Sequence, residues 1–79
     1  MAGTKSADKQ VVTERLTVGM IPKALGDLDE LQTLTGLSKT DVINRAVSLY
    51  AFVAQQLAEG NELLVRDGDS REVERVHLL

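Results

Sequence analysis

The chain has 79 residues, a net charge of −3, one histidine and no cysteine. That length allows a single domain whose small core needs an added source of stability. A disulfide framework is excluded, and His77 alone makes no metal site, so oligomerisation is the remedy left.

Residues 1–23 carry Lys5, Lys9, Arg15 and Lys23 against Asp8 and Glu14, a net +2, whereas residues 24–60 come to −3 and residues 61–79 to −2. Positive potential therefore sits at the amino-terminal end, where a nucleic-acid-facing surface would have to lie. No apolar run follows Lys5 and Lys9 to make a signal peptide. The stretch from Thr40 to Glu59 is interrupted by Asp41, Asn44, Arg45, Gln55 and Gln56, so no membrane span is expected. These features, with the lack of cysteine, point to a soluble cytoplasmic protein.

Residues 1–12 are mostly small and polar with little to bury, which predicts a disordered arm. It is either a solvated tail or a clamp on a bound duplex. Thr13 to Met20 then alternates, with Leu16, Val18 and Met20 on one side and Thr13, Arg15, Thr17 and Gly19 on the other. A period of two predicts a half-buried strand. No second strand precedes the helices, so this one needs a partner, and a second copy of the chain is the simplest one.

Ile21-Pro22 ends the strand and opens a helix, because proline lacks the ladder N–H and fits the first helical turn. Leu25, Leu28, Leu31 and Leu34 predict an amphipathic first helix, with Asp27, Asp29 and Glu30 on its solvated side. Asp27 is expected near the helix start, opposing the dipole favourably. Thr35-Gly36 stops the helix. Ser38, followed by Asp41, reads as a capping box opening a second helix that runs from Lys39 to about Glu59 and is stopped by Gly60-Asn61. Its apolar positions, from Val42 and Ile43 to Leu57, form a stripe wider than one short helix can cover, which predicts burial against a partner subunit.

The tail, residues 61–79, places Asp67-Gly68-Asp69-Ser70 between two β-prone runs, which signals a hairpin. A disordered or helical tail is the alternative. The expected hairpin would turn a small apolar face, Leu63 and Val65 among it, toward Leu57. Asp67 and Asp69 lack the later glutamate of a calcium loop, and a turn explains them better. Tyr50 and Phe52 read as core or rim residues and His77 as a strand-surface residue. No phosphate loop, metal-ligand spacing or activated nucleophile is present, so neither catalysis nor a cofactor is expected.

Strand, short helix, the turn Gly36-Leu37-Ser38 and a longer helix follow one another between Glu14 and Glu59. In "ERLTVGMIP" and "LDELQTLTGLSKTDVINRAVSLY" this order resembles the ribbon-helix-helix family of bacterial DNA-binding proteins (the Arc/MetJ type), with residues 61–79 outside the likeness. The resemblance implies a mostly α fold with one N-terminal strand, and an intertwined homodimer whose residues 13–60 share a two-stranded antiparallel ribbon. That ribbon enters the major groove. Carried over, Arg15 and Thr17 read base edges, with Thr13 one step outward on the same face. The start of the second helix, Ser38, Lys39 and Thr40, holds a backbone phosphate. Ser38 also serves simply to cap its own helix, and the two roles are compatible. Gly19 departs from the family, which commonly places a third polar reader there.

The expected partners are double-stranded DNA and a second copy of the chain, with higher-order assembly on DNA. The function implied is a DNA-binding transcriptional regulator, a repressor. The alternative is an antitoxin-type protein that binds DNA through the ribbon and a toxin-like protein through residues 61–79. A third reading is a dimeric module that does not bind DNA, which the acidic balance and Gly19 keep open.

Overall fold

The computed structural model describes residues 11–77, so most of the expected arm lies outside the described residues. Two helices are followed by a hairpin: α1 (Pro22–Thr35), α2 (Lys39–Ala58), β1 (Leu64–Arg66) and β2 (Val73–Arg75). The protein is thus mostly helical, with one two-stranded antiparallel sheet.

The strand expected over Thr13–Met20 is not formed in the single chain. Val11–Met20 carries neither helix nor strand, and the sheet follows the helices instead of preceding them. The cause is the supply of partners. An extended segment needs a second strand for its backbone donors and acceptors, and β1 and β2 pair only with each other.

Helix α1 begins with Pro22 after an extended Ile21 (φ −74, ψ 157), and no side chain caps it. Its first backbone bond runs from the Leu25 N–H to the Ile21 carbonyl at 3.0 Å. The helix closes on Gly36, whose φ of 74 is left-handed and whose N–H donates to the Gln32 carbonyl at 2.8 Å. Asp27, expected near the helix start, lies beyond the first turn. It sits one turn further in and accepts from Lys23 Nζ at 2.8 Å, four residues back. That contact raises the lysine pKa above its ordinary value through the hydrogen bond and the carboxylate charge.

The inward face of α1 also differs from the expected leucine row. Steps of three turn by about 300°, so four leucines at threes drift round half the helix. Only Leu28 of that row is buried, while Leu25, Leu31 and Leu34 are exposed. The face turned inward is the row at fours, Ala24, Leu28 and Gln32. Gln32 Nε2 also donates to the Leu37 carbonyl at 3.4 Å, tying the end of α1 to the turn.

Helix α2 opens on Ser38, whose Oγ accepts from the Asp41 N–H at 3.1 Å. It closes through Gly60 (φ 87), with the Gly60 N–H on the Leu57 carbonyl and the Asn61 N–H on the Gln56 carbonyl, both at 3.0 Å. That pair of bonds is the Schellman arrangement. Val42 and Val53 of α2 are, with Leu28 of α1, the buried side chains among the described residues. Ile43, Val47, Leu49, Tyr50, Phe52 and Leu57 stay exposed, as the width of the stripe requires when one helix covers it.

The hairpin expected in the tail is present, with Leu64 opposite Arg75, Val65 opposite Glu74 and Arg66 opposite Val73. Its turn is longer than Asp67-Gly68. The Asp67 N–H reaches the Glu72 carbonyl at 2.7 Å, and the left-handed residue is Arg71 (φ 66), not Gly68. Asp67 Oδ1 holds the loop by accepting from the N–H groups of Asp69 and Ser70 at 2.8 and 2.9 Å. Those bonds, the one from Ser70 first, hold its carboxyl below the usual aspartate pKa of 3.8. Leu63 and Val76 line one hollow with Leu57, whereas Val65, expected on the same apolar face, stays exposed.

Candidate nucleic-acid interface

Two groups of residues carry the expected contacts. The first is the opening turn of α2. A helix start leaves its first N–H groups without intrahelical partners. Ser38 Oγ takes the Asp41 N–H, and the Val42 N–H makes the first helical bond to the Ser38 carbonyl at 2.9 Å. The N–H groups of Lys39 and Thr40 remain without an acceptor among the described residues. Ser38, Lys39 and Thr40 are all exposed, and Lys39 makes no ion pair there. The Thr40 carbonyl accepts from Asn44 Nδ2 at 2.8 Å. Two open donors, the positive dipole end and one ammonium group form an arrangement that can seat an anion. Asp41 in the same turn is the opposing charge, but its backbone donor is already engaged.

The second group is Thr13, Arg15 and Thr17, all exposed in the segment before α1. Arg15 makes no hydrogen bond or ion pair among the described residues. The apolar members of the same segment are equally open, with Leu16 at 74% and Val18 at 65% exposure. Met20 is partly covered. Leu16 and Val18 of one side of the segment therefore stay in solvent along with the polar residues of the other. No hydrogen bond or ion pair connects this segment with the first turn of α2 among the described residues.

Glu62 accepts from Arg75 Nη1 at 2.8 Å, so part of the hairpin's charge is paired internally. Arg71, at the left-handed position of the loop, is exposed and was not among the expected site residues. Nothing in its residue type signals that conformation. No helix among the described residues is long and apolar enough to cross a membrane.

Comparison with protein-family models, with curated proteins and with solved structures finds no match to this chain.

Proposed function

We propose that the chain is a dimeric, ribbon-helix-helix DNA-binding regulator acting as a repressor. The observation that carries the reading is the open segment before α1: an alternating Leu16, Val18 and Met20 with no strand partner among the described residues, joined to a helix pair whose own apolar stripe is covered only at Val42 and Val53. Two such segments side by side satisfy each other's backbone and bury both apolar rows, forming the antiparallel ribbon. The polar rows then share the opposite face, with Arg15, Thr17 and Thr13 of each copy set for base edges in the major groove. Ser38, Lys39 and Thr40 grip the flanking phosphate and fix the register of the ribbon on the duplex.

The antitoxin alternative needs a tail that a partner protein orders. Residues 63–76 already pair as a hairpin in the single chain, which favours the regulator.

Unbiased selection of bound duplexes, followed by a salt titration of the best one, tests the proposal. A single preferred site is expected, with affinity falling as salt rises. Arg15→Ala should lose about 1–3 kcal/mol on that site and relax the preference at one position. Equal binding of preferred and scrambled duplexes by parent and variant alike would remove the ribbon as the reading element.

A further inference from the structure

The outer edge of β1 is open, and its sequence is complementary to itself. The Val76 N–H donates to the Leu63 carbonyl at 2.9 Å, and the Asp67 N–H to the Glu72 carbonyl at 2.7 Å. In an antiparallel pair such bonds alternate, so Leu63, Val65 and Asp67 turn their backbone groups toward β2. Glu62, Leu64 and Arg66 turn theirs outward, where no backbone partner meets them among the described residues.

We propose that this edge binds the same edge of a second copy, β1 against β1, about a two-fold axis through Leu64. A two-fold axis normal to a sheet keeps every residue on its own face, so only pairs of equal parity can stand opposite. Centred on Leu64, the register sets Glu62 opposite Arg66 of the second copy, Leu63 opposite Val65, and Leu64 opposite itself. The residues with outward donors and acceptors, Glu62, Leu64 and Arg66, become the hydrogen-bonded pairs. Two opposite-charge pairs close the ends, and Arg66 comes beside a Glu62 that already holds Arg75 at 2.8 Å. On the other face Leu63, Val65 and Val76 become one apolar surface across the axis, flanked by Glu74, which stands opposite Val65.

Neighbouring registers lack this match. Centring on Leu63 sets Glu62 against Leu64, and centring on Val65 sets Arg66 against Leu64. The edge of β2 does worse: an axis at Glu74 or Arg75 puts like charges opposite, and one at Val73 puts Glu72 against Glu74. Like charges directly opposite destabilise a sheet. The product of the β1 pairing is a four-stranded sheet in the order β2-β1-β1-β2. Two strands alone are marginal in water, and four with an apolar face are not. The inference uses no residue of the ribbon and goes beyond the DNA reading, so either can fail without the other.

The full chain offers a clean probe because it contains no cysteine. Leu64→Cys should form a disulfide-linked pair of chains under mild oxidation, since Cα atoms about 5.5 Å apart in a hydrogen-bonded pair are within disulfide reach. Val73→Cys on β2 should not. In the Leu64→Cys background, Glu62→Arg and Arg66→Glu should each cut the linked fraction at least tenfold. An equimolar mixture of those two variants should restore it, because each supplies the charge the other has lost. Helical circular dichroism checks that every variant folds. The proposal is overturned if Leu64→Cys links no better than Val73→Cys, or if mixing the charge variants restores nothing.

Discussion

Ser38 Oγ accepts the Asp41 N–H at 3.1 Å, and by taking that one donor it leaves the N–H groups of Lys39 and Thr40 open at the positive end of α2. Capping therefore takes one group, and the proposed anion seat would use its neighbours instead of competing for it.

That division makes the two roles separable by substitution. Ser38→Ala should lower thermal stability, by about 1 kcal/mol for a lost helix cap. Lys39→Ala should leave the melting temperature nearly unchanged and weaken binding to all duplexes alike. It should also reduce the slope of log affinity against log salt by about one per subunit. Thermal melts and salt titrations of both variants check this; a sequence-selective loss in Lys39→Ala would mean that the lysine reads bases.

The exposed apolar surface sets the second expectation. A chain that buries Leu28, Val42 and Val53 while leaving Leu16, Val18, Val47 and Leu49 in solvent has little core of its own. Sedimentation at low micromolar concentration should give at least twice the chain mass, with unfolding that depends on protein concentration. Val18→Asp should abolish cooperative unfolding, because the ribbon would bury an unpaired charge. A folded monomer at that concentration would rule out the ribbon.

Much of the helical fold was legible in the sequence because its punctuation is local. Pro22, Gly36, Ser38 and Gly60 act on backbone within a few residues, and each stands at the helix end it marked. The exposed opening turn of α2, Ser38, Lys39 and Thr40, was legible for the same reason. Long-range features were less so. Leucines at threes suggested the wrong face of α1, since which row turns inward depends on where α2 lies. The Asp67-Gly68 pair announced a hairpin, but Arg71 took the left-handed position, a choice set by loop length and strand register. The strand over Thr13–Met20 is the extreme case. Its alternation is local, yet the segment carries no strand in the structure, where β1 and β2 pair with each other.

The loop carboxylate gives a pH expectation. Asp67 has a folded pKa below its ordinary value because its charged form accepts the Ser70 and Asp69 N–H groups. A depressed pKa stabilises the hairpin above the unfolded value near 4, and this is lost as pH falls through the folded value. Amide exchange in β1 and β2 should therefore accelerate on acidification below about pH 4, relative to α2. Asp67→Asn should flatten that dependence. An unchanged acid profile in the variant would mean that Asp67 does not carry the acid dependence.

Gly19 sits where a third reading side chain would fall, and a Cβ built there meets nothing within 4 Å. Its φ also lies outside the left-handed range, so an ordinary residue fits the chain without strain. Gly19→Asn should fold as the parent does, with stability changed by less than about 0.5 kcal/mol, as for other open surface positions. On DNA, an asparagine beside Arg15 and Thr17 can pair with the N6 and N7 of adenine. Selection of bound duplexes should then gain a preference of about 1–3 kcal/mol at one position the parent ignores. A uniform loss of affinity on every duplex would point the other way. It would mean that the glycine is needed for the backbone itself to approach the groove floor, where any Cβ collides with the bases.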